Sequence, residues 1–260
     1  MTKPVAFAVS RRLLCATAAA AFVLCHGVAA LAATPKDTLV IAFAFDDIIS
    51  VDPAESFELS GGELLGNTYD RLVRLDVNDP SKLVADVAQS WTVAPDGKTY
   101  NFVLKPGLKF ASGNPLTAED VVYSLQRAIA LDKSPAFILT QFGFTKDNVK
   151  DKVKQTGPLS LTIETDKAYA PSFVLNCMTA DVGSIVDKKL LLTKEVNGDW
   201  GYGWLKTNYA GSGPLKLREW RANEIIALAL VPPLWFSVIH PRLQSMKQSS
   251  EAGMNAGASA

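Results

Sequence analysis

Histidine, the side chain used most often for general acid–base catalysis, is scarce in this sequence. The chain has two histidines, His26 and His240, one near each end. The residues between them therefore offer no imidazole for a Ser-His-Asp or Cys-His arrangement. They also contain no cluster of histidines and cysteines that could bind zinc or copper. We therefore expect neither a cofactor nor a metal site.

Carboxylates and one glycine-flanked serine are the other candidates for chemistry. Asp46-Asp47 lies in a predicted turn, and Glu119-Asp120 lies in the first turn of a predicted helix, where acidic side chains are favoured in any case. The Gly-Ser-Gly motif around Ser212 could form an anion-binding nest or part of a nucleophile elbow, but the strand–nucleophile–helix context of an elbow is missing. The sequence also lacks a Gly-x-x-x-x-Gly-Lys-Ser/Thr loop for nucleotide binding. We therefore predict that the protein is not an enzyme.

The elements that could position a binding site are clearest in residues 88–127. Apolar residues alternate on both sides of Asp96-Gly97, a dipeptide typical of tight turns. The alternating residues are Trp91, Val93, Tyr100, Phe102 and Leu104. This pattern predicts a β-hairpin with one buried face.

A capped helix is predicted directly after this hairpin. Thr117 is a suitable N-cap residue, and Glu119 and Asp120 suit the positive end of the helix dipole. The predicted apolar face consists of Val121, Val122, Leu125 and Ile129.

Weaker patterns predict further elements along the chain. Residues 38–45 form a near-continuous apolar run, typical of a strand that is covered on both faces. Gly61-Gly62 is predicted to precede a helix that carries Leu64, Leu65, Tyr69 and Leu72. Residues 159–163 alternate as a strand, Pro171 suits the first turn of a short helix, and residues 219–230 are predicted to continue as one strand.

The order of these motifs resembles that of one protein family. Ser90-Trp91 is followed by Asp-Gly-Lys-x-Tyr-x-Phe-x-Leu at 96–104, a Lys-x-Gly turn at 105–107 and Leu-Thr-Ala-x-Asp-Val-Val-x-Ser at 116–124. This series is similar to the signature of the peptide/nickel-type solute-binding proteins of ABC transporters, the periplasmic oligopeptide- and dipeptide-binding family. The resemblance depends on the whole series and not on a single motif.

The resemblance implies an α/β fold of the class II periplasmic-binding-protein type, in which two lobes enclose the ligand. This chain would supply the N-terminal lobe, with a mixed β-sheet and a small side domain, and the second lobe would be missing. Residues 33–72 and 157–230 are expected in lobe I, and residues 73–156 in the side domain. The resemblance stops after Leu230, so residues 231–260 are predicted to be an aberrant, disordered tail.

The resemblance also implies contacts with a ligand. In the family, residues just after an Asp-Pro pair, here at 52–53, lie along the ligand cleft, and some peptide binders place an aromatic residue in the cleft from a later segment. The corresponding positions in this sequence are Phe57, Glu58, Leu59, Ala136 and Phe137. Alternatively, Phe57 and Leu59 are core residues under a loop, and Glu58 is a solvated charge.

Composition and the N-terminus indicate partners and location. Lys+Arg and Asp+Glu both number 26, which gives no reason to expect nucleic acid as a partner. Lys3, Arg11 and Arg12 precede an Ala-rich apolar run that ends in a small-x-small cleavage motif. We therefore predict a cleaved signal peptide at residues 1–32 and export to the periplasm, by the general secretory route rather than the twin-arginine route. A transmembrane anchor is the alternative.

Three functions follow as hypotheses. The first, implied by the resemblance, is the periplasmic substrate-binding component of an ABC transporter that imports peptides or related small solutes. Such a protein would act as a monomer, pair with the peptide backbone, and deliver the peptide to the permease subunits in the inner membrane. The second hypothesis is a truncated remnant that binds nothing. The third, a periplasmic enzyme, is disfavoured by the scarcity of histidine.

Overall fold

The computed structural model describes residues 45–222 and 224–231 of the chain. These residues form a mixed α/β structure. The predicted signal peptide at 1–32, residues 38–44 of the first predicted strand, and the predicted tail after Val231 lie outside the described residues.

Short helices alternate with pairs of strands along the chain. The helices are α1 (Leu59–Thr68), α2 (Ala118–Leu131), α3 (Phe137–Thr140), α4 (Val149–Lys152), α5 (Pro171–Cys177), α6 (Lys188–Leu192) and α7 (Tyr202–Leu205). Short 3-10 turns lie at Ser134–Ala136 and Asp181–Gly183. The strands are β1 (Val73–Leu75), β2 (Leu83–Ala85), β3 (Ala88–Val93), β4 (Thr99–Leu104), β5 (Val153–Gly157), β6 (Ser160–Glu164), β7 (Leu215–Arg221) and β8 (Ile225–Leu230).

The described strands pair antiparallel in three sheets. Their orders are β1-β2, β3-β4-β6-β5 and β7-β8. The largest core cluster lies between the four-stranded sheet and α2. Among the described residues, no helix has both the length and the apolar character that a membrane span requires.

The hairpin predicted at Asp96-Gly97 is confirmed as β3 and β4. The Ala94 N–H donates to the Thr99 carbonyl at 2.8 Å, and Gly97 adopts a φ of 68°, which glycine reaches without steric cost. The side chains of Tyr100, Phe102 and Leu104 are each only 1% exposed. One face of the hairpin therefore packs into the core, as the alternation predicts.

The capped helix is confirmed as α2. Asp120 Oδ2 accepts hydrogen bonds from the backbone N–H and the hydroxyl of Thr117, both at 2.9 Å. These bonds satisfy groups at the helix N-terminus that the helix itself cannot pair. Of the predicted apolar face, Val121, Leu125 and Ile129 are buried in the core, and Val122 packs against it.

Helix α1 differs from the prediction at both ends. It begins at Leu59, before Gly61-Gly62, and ends at Thr68, so Tyr69 and Leu72 lie beyond it as buried residues. The prediction that Gly61-Gly62 precedes the helix was therefore wrong, because both glycines lie within its first turn. Gly61 instead allows the chain before the helix to pack closely, because a Cβ at this position would overlap the Ser56 hydroxyl.

Residues 219–230 form parts of two strands and not the single strand that was predicted. The Glu224 N–H donates to the Arg221 carbonyl at 3.0 Å, and β8 returns antiparallel to β7. The prediction was wrong because this turn contains no glycine or proline to mark it. Two smaller predictions are confirmed: β6 matches the predicted strand at 159–163 to within one residue at each end, and Pro171 is the first residue of α5.

The Gly-Ser-Gly motif packs against the end of α1. The Gly213 N–H donates to the Thr68 carbonyl at 3.0 Å. A Cβ on Gly213 would lie 2.5 Å from the Thr68 carbonyl carbon, which is closer than real Cβ contacts. The motif therefore allows two backbone segments to touch.

Candidate functional site

A buried ion pair holds the start of the segment that carries the candidate contacts. Arg127 donates to Asp52 through two parallel hydrogen bonds, Nη1–Oδ1 at 2.8 Å and Nη2–Oδ2 at 2.6 Å. Arg127 Nε also donates to the Trp200 carbonyl at 2.8 Å. Burial alone would lower the pKa of Arg127, but the hydrogen bonds and charge of Asp52 outweigh burial and raise it. Arg127 therefore stays charged, and its hydrogen bonds to Asp52 join α2 to the segment before α1.

Further contacts hold the next residues of this segment. The Asp52 carbonyl accepts hydrogen bonds from the N–H groups of Glu55 and Ser56 at 3.0 and 2.9 Å. Glu55 in turn contacts helix α7 and its end: Tyr202 Oη donates to Glu55 Oε1 at 2.6 Å, and Lys206 Nζ lies 3.4 Å from Glu55 Oε2. The chain is therefore fixed immediately before Phe57.

The predicted contacts Phe57 and Leu59 lie on the surface. Their exposed fractions are 57% and 93%, so they are not core residues under a loop. Glu58, between them, is partly exposed, and its Oε2 accepts hydrogen bonds from the Ser56 hydroxyl at 3.1 Å and the Phe57 N–H at 3.0 Å. The Glu58 carboxylate is therefore folded back along its own segment.

Of the second pair of predicted contacts, one is exposed and one is buried. Phe137, at the start of α3, is 56% exposed, and its ring meets that of Phe57 edge to face with centroids 5.7 Å apart. The side chain of Ala136 is completely buried in the core. The structure thus brings Phe57 and Phe137 together, whereas Ala136 takes no part in this surface.

The segment at Phe57 also presents backbone groups that could pair with a ligand. Glu58 has an extended conformation, with φ −80° and ψ 152°. The Phe57 carbonyl and the N–H groups of Glu58 and Leu59 have no hydrogen-bond partner within the described part of the chain. A second extended chain can form main-chain hydrogen bonds with such unpaired N–H and carbonyl groups.

A pocket of about 580 Å³ lies beside this segment. One wall is formed by Phe57–Leu59, a second by Gly62 and Gly66 of α1, and a third by Pro135 and Ile138, with Val182 also lining the pocket. We refer to it below as the α1 pocket. Sequence analysis did not find this pocket, because its walls come from three distant segments of the chain.

The charged groups that line the α1 pocket are, among the described residues, all acidic: Glu58, Glu63 and Asp181. Asp181 forms an ion pair with Arg71, whose side chain does not line the pocket. Burial raises the pKa of Asp181, and the charge of Arg71 opposes this shift. Among the residues that the structure describes, no group of three or more His, Cys, Asp or Glu side chains is placed to bind a metal ion.

Comparisons with known proteins add the family context. Residues 82–248 match the sequence model described as bacterial extracellular solute-binding proteins, family 5 Middle. The probable D,D-dipeptide-binding periplasmic protein DdpA of Escherichia coli (strain K12) is 33% identical over 204 residues, which cover 77% of this chain and 37% of that protein. The dipeptide-binding protein DppE of Bacillus subtilis (strain 168) is 29% identical over 197 residues, which cover 72% of this chain and 34% of that protein. The chain thus spans little more than a third of the length of these relatives.

Solved structures share the fold. The murein tripeptide binding protein MppA of Escherichia coli matches with a TM-score of 0.60 at 26% identity, over 72% of this chain and 37% of that protein. The α/β fold is therefore that of part of a periplasmic binding protein, as the sequence resemblance implied.

Proposed function

Because this chain belongs to the bacterial extracellular solute-binding proteins of family 5, we propose that it binds a short peptide in extended form. The peptide lies along Phe57, Glu58 and Leu59, with Phe137 beside it. The protein then serves as the substrate-binding component of an ABC transporter and delivers the peptide to permease subunits in the inner membrane.

One observation carries this proposal: unpaired backbone groups lie next to two exposed aromatic rings. The Phe57 carbonyl and the Glu58 and Leu59 N–H groups can pair with a peptide main chain irrespective of its sequence. Phe57 and Phe137 can cover the side chains of that peptide, and burying these exposed rings is favourable. Hydrogen bonds to the main chain, together with aromatic contacts to the side chains, suit a receptor for peptides better than a receptor for a single small metabolite.

The names of the matched proteins support a peptide as the solute. Two of them are named for dipeptides and one for a murein tripeptide. One of those names also places its protein in the periplasm. We therefore propose that this protein acts in the periplasm. It is exported by the general secretory route, and residues 1–32 are then removed. It acts there as a monomer and without a catalytic step.

Calorimetric titration tests this function directly. We expect the chain to bind di- to pentapeptides at concentrations up to the millimolar range, and Phe57→Ala and Phe137→Ala to weaken binding. Phe173→Ala is the matched control, because Phe173 is also an exposed ring, at 45%, but does not line the α1 pocket. The proposal fails if no peptide in the series binds, or if all three variants bind as tightly as the parent chain.

A further inference from the structure

Helix α1 contains a glycine that neither packing nor backbone geometry explains. Its ten residues include Gly61, Gly62 and Gly66, although glycine inside a helix is less favourable than alanine. At Gly61, a Cβ would overlap the Ser56 hydroxyl, so packing accounts for this glycine. At Gly66, by contrast, a Cβ would meet nothing within 4 Å, and the backbone does not have a positive φ.

Gly66 and Gly62 both line the α1 pocket. They lie one helical turn apart, so they share a face of α1 and leave bare backbone along that wall. The open space at Gly66 is the space of the pocket itself, which a larger side chain would enter. The unfavourable glycine therefore keeps the pocket wide.

The size of the pocket suits a large group. Its volume of about 580 Å³ is many times the ~30 Å³ that a water molecule takes up in the liquid. Phe57, Pro135, Ile138 and Val182 supply apolar surface to it. A ring or a long aliphatic chain would make far more contact here than a methyl group.

The charges of the pocket select against an acidic group. Glu58 and Glu63 line it, and no lysine or arginine among the described residues does so. Asp181 already has Arg71 as its partner, so that arginine is not free to bind a ligand carboxylate. An acidic side chain in the pocket would lie among like charges with no counter-ion.

We propose that the α1 pocket receives one side chain of the bound peptide, that Gly66 sets its size, and that it selects a large side chain without negative charge. This inference rests on the proposed peptide binding. Pairing with the backbone at Phe57–Leu59 holds the peptide whatever its sequence, and the adjacent pocket supplies the preference among peptides.

The test uses the 260-residue chain and tripeptides of alanine in which Trp or Glu replaces each position in turn. We expect one Trp position to bind more tightly than trialanine and the Glu peptide of the same position to bind more weakly. Gly66→Leu should reduce the affinity for that Trp peptide by at least about tenfold, because even one methylene of mismatch in an apolar pocket changes affinity by about 10- to 200-fold. The loss for trialanine should be smaller than the loss for that Trp peptide, and Gly66→Ala should give an intermediate loss for the Trp peptide.

Lys189→Leu is the control, since it adds the same side chain to exposed helix surface outside the pocket. Thermal unfolding of each variant shows whether it is folded, and a loss for the Trp peptide that exceeds the loss for trialanine shows that the pocket is changed and not the whole site. If the parent chain binds no peptide, the proposed function fails. If it binds Trp, Ala and Glu peptides equally, or if Gly66→Leu keeps the Trp preference, the pocket inference alone is overturned.

Discussion

Arg127 and Asp52 form a two-point ion pair that is enclosed by protein, with exposed fractions of 2% and 0%. Removing one partner leaves the other as an uncompensated buried charge. We therefore expect Arg127→Met to lower the free energy of unfolding by about 3–5 kcal/mol in urea denaturation.

The matched control for this pair is Arg221→Ala. Arg221 forms ion pairs with Glu219 and Glu224, but its side chain is 57% exposed. Such surface pairs contribute roughly 0–1 kcal/mol. If Arg127→Met costs no more than Arg221→Ala, the buried pair does not hold the fold together.

Replacing Gly213 or Gly66 by alanine should change the free energy of unfolding in opposite directions. Gly213→Ala places a Cβ 2.5 Å from the Thr68 carbonyl carbon, so we expect a loss of about 1–3 kcal/mol in unfolding free energy. Gly66→Ala places its Cβ in open space within α1 and should gain about 0.5–1 kcal/mol. Denaturant unfolding of both variants measures the difference. Equal effects would show that the close packing at Gly213 is absent in solution.

The Asp120 carboxylate should stabilise the N-terminus of α2. It accepts both hydrogen bonds from Thr117 and a third from the Lys188 N–H at 3.2 Å. Asp120→Ala is expected to cost about 0.5–2 kcal/mol, as for other capping residues. Glu119→Ala is the control, because the ion pair of this neighbouring acid with Lys188 lies at the surface. A cost for Glu119→Ala that matches Asp120→Ala would contradict the capping role.

The loop before α7 should lose stability in acid through Asp199. Burial would raise the pKa of this carboxylate, but hydrogen bonds from the N–H groups of Val196, Gly203 and Gly201 outweigh it and hold the pKa below its ordinary value of 3.8. The folded state therefore binds the proton less readily than the unfolded state. The stabilisation from Asp199 is complete above pH 3.8 and is lost as the pH falls through the lower, folded pKa.

Asp199→Asn provides the measurement for this loop. The variant should be less stable than the parent chain at about pH 5, and the difference should shrink as the pH falls below about 4. Unfolding free energies at several pH values give both curves. A difference that is constant with pH would mean that another group carries the acid sensitivity.

Features that depend on neighbouring residues were predictable from the sequence. The Asp96-Gly97 turn and the Thr117 cap act within a few residues, so alternation and residue type were enough to predict them. The turn between β7 and β8 was missed because it contains no glycine or proline, and the single turn-forming residue Asn223 did not mark it. The division of residues 33–230 between a lobe and a side domain stays a prediction.

Features that depend on distant residues were not predictable. Arg127 lies on α2 one turn after Tyr123, and its position in the sequence is equally compatible with an exposed arginine. Its burial became evident only from the structure, in which it is hydrogen-bonded to Asp52. The meeting of Phe57 with Phe137 likewise depends on how the chain packs between them. The family resemblance identified both aromatic positions, but the pocket beside them emerged only from the structure.

The most direct test of peptide binding is a titration of the ¹⁵N-labelled chain with trialanine, followed by two-dimensional amide spectra. We predict that the amide signals of Glu58, Leu59 and the neighbouring α1 residue Gly62 shift progressively and saturate, because their backbone lies along the proposed peptide. Signals from β7 and β8 should stay in place. Saturable shifts confined to other parts of the chain, or none at millimolar peptide, would contradict the account.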